Sequence, residues 1–134
     1  MSYLTIRKLL EVQLNTVGGV FPTAFENVPF TPTNGVAWQQ ASLLPGRTEN
    51  PTFGSAHKRE VGVFQVTQHY PRNIGSQAAL ARAEALRAGF ARGGSLEESN
   101  VKVRLLNSPY IGPAANDGAW YSVPLSVPYV ADVY

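Results

Sequence analysis

Two histidines, nine acidic side chains and no cysteine bound the chemistry available to this 134-residue chain. Without cysteine there is no disulfide framework, no thiolate zinc site and no thiol nucleophile. His69 stands late in "KREVGVFQVTQHY", beside Gln68 and Tyr70. There it reads either as a general base or, as is commoner for an imidazole at a strand end, as a hydrogen-bonded structural residue. His57 opens the charged cluster "HKRE" and reads as solvated. Glu97 and Glu98 are adjacent carboxylates, but neighbours in a polar turn such as "SLEESN" point apart and make no acid/base pair. HExxH, GxSxG, P-loop and GxGxxG patterns are all missing, as is an EF-hand loop, so neither metal nor cofactor is expected. Trp38, Trp120, Tyr70, Tyr110, Tyr121 and Tyr129 could form a stacking platform for single-stranded nucleic acid. In strands such rings more often serve as core and cross-strand packing. What remains is the chemistry of packing and assembly rather than catalysis.

The elements that must position these groups follow from periodicity. Tyr3, Ile6, Leu10 and Leu14, with Leu9 widening the stripe, recur at helical spacing after Ser2, and "NTVGG" stops them. "GVFPTAFENVPFTPT" has no helical period and reads as irregular, with a short edge strand near Phe25 to Val28. "VAWQQASLLPG" alternates and predicts a strand, and "PGRTENPTFGS" reads as a long loop. "KREVGVFQVTQHY" is apolar on both faces in its first half and predicts a central strand. Ser76 caps a helix over 77–92 that docks by Ala79, Leu80, Ala83, Leu86 and Phe90 and stops at Gly93 and Gly94. Its other side carries Ala81, Ala85, Ala88 and Ala91, either for helix propensity or to let a second backbone approach. "VKVRLL" alternates as a strand, and a turn-rich stretch ending in Asp117-Gly118 leads to the last one. This order predicts an α+β fold: an antiparallel or mixed sheet of about four to five strands, with two helices packed on one face.

The closing strand, "WYSVPLSVPYVADVY", places Pro124 and Pro128 on one parity. Within an extended strand one parity directs its backbone N–H groups to one side, so both prolines blank out donors along a single side. That pattern reads as an edge protected from indiscriminate strand addition. Such protection suits an ordinary monomer, or a ring subunit that must close rather than polymerise.

Composition fits one domain, residues 1–134, with a single core. Charged residues are only 15% of the chain, below the usual quarter, which suggests surface that a partner buries. The net charge of +2 is not gathered into a basic stripe, so phosphate-directed nucleic-acid binding is not expected. "MSYLTIRKLLEVQL" lacks the apolar core of a signal peptide, and no run of 18 apolar residues occurs, so the chain reads as a soluble protein of the cytoplasm.

The layout resembles the tail terminator proteins of long non-contractile-tailed phages, of the minor tail protein U type. The segments that carry the resemblance are "VAWQQASLLPG", "REVGVFQVTQHYPRNIG", "GVFQVTQHYPRNIGSQAALARAEALRAGF" with its "GFARGG" ending, and "WYSVPLSVPYVAD". The resemblance implies a structural protein of a phage or prophage, made in the host cytoplasm and located in the virion tail. It implies a ring, typically a hexamer, that caps the head-proximal end of the tail tube. Its partners would be itself, the major tail tube protein and a head-completion or connector protein, with no membrane and no specific nucleic acid. The loop over 45–59 then reads as an arm, mobile in the free subunit, with Phe53 anchoring in a neighbour. Arg47, Lys58 and Arg59 would pair with Glu97 and Glu98 of the adjacent subunit or with the tube, and Pro124 and Pro128 would govern closure. A solvated loop is the plainer reading. The same layout also suits another neck, head-tail joining or tail-tube protein, and more distantly a nucleic-acid-binding module or a small hydrolase built around His69.

Overall fold

The computed structural model describes residues 2–18, 21–26, 28–33, 35–49, 57–73, 75 and 77–134; Phe53 and the expected helix cap Ser76 lie outside them. The described elements are α1 (Ser2–Gly18), β1 (Thr23–Phe25), β2 (Trp38–Glu49), β3 (Lys58–Pro71), α2 (Gln77–Gly89), β4 (Ser95–Glu98), β5 (Val101–Arg104), β6 (Tyr110–Ile111), β7 (Ala115–Asp117) and β8 (Trp120–Val133). The fold is α+β, but the sheet has eight strands, more than the four to five expected. Its order is β1-β2-β3-β8-β5-β4, with β6 and β7 also pairing β8. The strands not expected, β4, β6 and β7, are two to four residues long, too short to show a period; the short edge strand expected near Phe25 to Val28 lies at Thr23–Phe25. Only β1 joins its neighbour in parallel, so the sheet is mixed.

Both helices lie on one face. Ile6, Leu10 and Leu14 of α1 and Leu86 and Phe90 of the second helical segment share a core with Phe64, Val66, Leu125, Val127 and Tyr129, all 0–1% exposed. The Phe64 and Phe90 rings meet at a centroid distance of 6.1 Å. A second cluster joins Ala79, Ala83 and Val123, flanked by Tyr70 and Tyr121. Leu80, expected in this face, is instead 38% exposed. The small Ala79 and Ala83 side chains let α2 lie close to the sheet, and Leu80 falls at the margin of that arc. Tyr3 is likewise displaced from the expected stripe, at 42% exposure, and its hydroxyl donates to Glu60 Oε2.

The close helix approach occurs at glycine, not on the alanine side. A Cβ on Gly89 would lie 2.1 Å from Cγ1 of Val17, and the Gly89 carbonyl accepts a hydrogen bond from Gln13 Nε2 at 3.0 Å. Ala81, Ala85, Ala88 and Ala91 are exposed.

β8 is a central strand, which overturns the reading of Pro124 and Pro128 as protectors of a sheet edge. On one side it pairs without interruption with β3, from Lys58↔Val133 to Pro71↔Trp120. On the other it pairs in three pieces: β7 at 120–122, β6 at 125–126 and β5 at 130–133. Pro124 and Pro128 fall in the two gaps. The donor-poor side is as the parity argument placed it, since the Pro124 carbonyl accepts from Gly112 N–H on that side. Missing donors therefore divide β8's second neighbour into short strands instead of leaving it bare. The sharp return into β8 is a two-residue turn at Gly118-Ala119, with Gly118 at φ 61°.

Candidate assembly interface

The face of the sheet opposite the helices carries no helix among the described residues. Register places its side chains in rows. Leu44, Val63 and Pro128 form one row and Val61, Val130 and Arg104 the next, giving an apolar band in which Leu44 is 49% exposed. Beyond it lie Ser42, Gln65, Ser126 and Tyr110, then Trp38, His69 and Ser122. Trp38 stacks with Phe30, at 5.2 Å, and with His69, at 4.1 Å. Its ring is engaged in packing within the chain, the commoner use of a strand aromatic. His69 is 7% exposed, and its Nδ1 lies 2.7 Å from Ser122 Oγ, which is the structural reading of this histidine.

At the other end of this face runs a row of alternating charge. Glu49 lies opposite Arg59, Arg59 opposite Asp132, Asp132 opposite Lys102, and Lys102 opposite Glu97. Opposite charges directly across a ladder are mutually stabilising. Asp132 is the centre of the row, and its side chain is fully buried. It accepts from Arg59 Nε at 2.9 Å and from an Arg104 terminal nitrogen at 2.7 Å, and His57 Nε2 lies 2.9 Å from it. Burial works against its charge, but the hydrogen bonds from His57 and Arg59 and the charges of Arg59 and Arg104 outweigh it and hold the carboxyl below its usual range. His57 is therefore not simply solvated: it bonds Asp132 and stacks on Tyr134 at 4.5 Å.

The expected interface residues are not brought together. Arg47 is exposed in a bulge of β2, where the register shifts between Pro45 and Thr48. A Cβ on Gly46 there would meet the Val61 carbonyl at 2.6 Å. The described ends of the expected loop are thus strand: β2 reaches Glu49 and β3 begins at Lys58, with residues 50–56 outside the described ones. Proline and glycine at the bulge hid the strand, and beyond it every residue to Glu49 is exposed, so no alternation marks it. Lys58 is exposed at the start of β3, whereas Arg59 is committed to Asp132. Glu98 pairs with Lys8 at 2.9 Å in the same chain, and Glu97 is exposed on β4. Hence Arg59 and Glu98, both expected to reach an adjacent subunit, already have partners at home. Phe53 lies outside the described residues.

Edge protection is found at β2, where sequence reasoning did not look. Beyond Ala41, β2 has no strand on its outer side among the described residues. There Glu26 accepts from the Leu43 N–H, Pro45 supplies no donor, and the bulge follows. Burial disfavours the Glu26 charge, but the Leu43 N–H and the Arg7 guanidinium, 2.8 Å away, prevail and keep its carboxyl below the usual range.

A further polar network was also missed. Arg82 of α2 donates through Nε to Gln68 at 3.0 Å and through a terminal nitrogen to Gln39 at 3.1 Å, and its guanidinium lies 3.6 Å from the Phe21 ring centroid. Burial lowers its pKa, partly offset by Tyr70. The signal for this network was the pair of glutamines at core-facing strand positions, and that for the Asp132 cluster was a charged residue in apolar "VPYVADV". No cluster of metal-ligating side chains occurs among the described residues.

Comparison with known proteins places this geometry. No curated protein matches. One solved protein chain is 28% identical, with a TM-score of 0.82 over 100% of this chain and 98% of that one. The family model for phage tail terminator proteins matches residues 5–129. A match over nearly the whole chain, helices and sheet together, means that this chain belongs to the phage tail terminator protein family.

Proposed function

We propose that the protein ends tail-tube growth: a ring of subunits, a hexamer, seats on the head-proximal end of the tube, stops its polymerisation and presents the surface to which the head connector joins. The observation that carries this reading is the family match over residues 5–129. The surface accords with it, since a cyclic ring needs two different patches per subunit. The helix-free sheet face, with Leu44 and Val63 in its apolar band, is one candidate. Arg47, Lys58 and Phe53, at or next to the β2–β3 connection, are the other, with Phe53 entering a neighbouring subunit as an anchor. The partners are further copies of this chain, the major tail tube protein and a head-completion protein. The protein works by binding rather than catalysis, in the virion tail after assembly in the host cytoplasm.

The test is polymerisation of purified tube protein with and without this protein. Tube length that falls as the protein is added, with growth lost at one end only, is the expected result. Tubes that lengthen equally in its presence would refute the proposal.

A further inference from the structure

The two edges of the sheet are built differently. The β1–β2 edge is closed by the Glu26 carboxylate, Pro45 and a bulge. β4, at the opposite edge, has none of these among the described residues. Its backbone phase follows from its neighbour. Leu105 accepts from Gly93 N–H at 2.7 Å and donates to the Gly94 carbonyl at 2.9 Å, so odd residues of the β5 segment face β4. Val103 and Val101 lie opposite Leu96 and Glu98, so these bond inward, and Ser95 and Glu97 turn their N–H and C=O groups outward. Ser95 and Glu97 are both exposed.

The charge row sets what can pair there. It runs Glu49, Arg59, Asp132, Lys102, Glu97 and ends on an anion. The next strand in this row would place a side chain directly opposite Glu97, where a cation is favoured and an anion repelled. The other strands with an open side, β1 (Thr-Ala-Phe), β6 (Tyr-Ile) and β7 (Ala-Asn-Asp), have no cation, and β2 beyond β1 is blocked. A second copy therefore has no free strand of the matching charge among the described residues.

We propose that the outer edge of β4 is a strand-addition site for an extended, lysine- or arginine-bearing segment of a different protein. The incoming strand runs along Ser95–Glu98, exchanges backbone hydrogen bonds with Ser95 and Glu97, and sets a cation against Glu97. Glu97 thus repels acidic or self-paired strands and admits a basic one. This site stands whether or not the protein caps tubes.

The experiment uses the isolated, isotope-labelled protein and two synthetic peptides, acetyl-TVKVRT-amide and acetyl-TVEVET-amide, followed by backbone amide chemical shifts. The basic peptide should give saturable shifts centred on Ser95 and Glu97, and the acidic one should bind about tenfold more weakly, the ratio expected when an opposite-charge pair becomes a like-charge pair. Glu97→Lys should invert that preference. Glu97→Pro, which removes an outward donor from an edge strand, should abolish binding with an unchanged circular dichroism spectrum. Equal binding of the two peptides, or no saturable shift at these amides, overturns the proposal. Shifts at Ser95 and Glu97 that grow with protein concentration in the absence of peptide also overturn it, by showing that a second copy takes the edge.

Discussion

Replacing Asp132 by asparagine tests whether one buried carboxylate ties together β3, β5 and β8. Its side chain is fully buried, while those of Arg59 and Arg104 are 36% and 38% exposed. Removing one member of a fully buried ion pair costs about 3–5 kcal/mol. Here the orphaned guanidinium groups can turn toward water, which screens much of that loss, so about 2 kcal/mol is expected for Asp132→Asn at pH 7. With a urea m-value of about 1–2 kcal/mol/M, the unfolding midpoint should fall by about 1–2 M. The pH dependence carries the sign. The folded pKa of Asp132 is lowered, so its contribution is fully present above the unfolded carboxyl value of about 3.9 and is lost as pH falls through the folded value. The difference between the parent and Asp132→Asn should therefore shrink between about pH 5 and the acid limit of folding. A difference below about 0.5 kcal/mol at neutral pH, or one that stays constant into acid, would refute this account of the charge row.

Gly89→Ala should destabilise by about 1–3 kcal/mol despite alanine's better helix propensity, because the new Cβ would overlap Val17. Adding Val17→Ala should recover much of the loss in a double-mutant cycle, and independent effects would mean that the helices do not meet there. Phe90→Ala should cost about 3–5 kcal/mol in chemical denaturation, since the ring is 0% exposed; a surface-like change would mean the core is misassigned. Pro124→Val with Pro128→Val should destabilise by about 1 kcal/mol per unmet N–H, without altering the sedimentation profile, because β5, β6 and β7 already occupy that side. Association at high protein concentration would instead restore the edge-strand reading.

Long periodic segments are legible in the sequence. Ile6, Leu10 and Leu14 announce the buried face of α1, and "KREVGVFQVTQHY" announces a strand with neighbours on both sides, which β2 and β8 supply. Parity also told correctly which side of β8 lacks donors. What it could not tell is who stands on that side, because β6 and β7 are two and three residues long and acquire strand character only by pairing with β8. The charge row was equally hidden. Arg59, Lys102 and Asp132 are far apart in sequence, and only the register of three strands aligns them. Pro45 and Gly46 read as loop because a bulge and a protected edge use the same residues as a turn.

The claim that this family member ends tube growth is tested most directly by electron microscopy of purified tail tubes mixed with the protein. Added ring density is expected at one end of each tube, always the same end, and tubes so capped should no longer extend when tube protein is supplied. Bare tube ends, or density distributed along the tube wall, would contradict it.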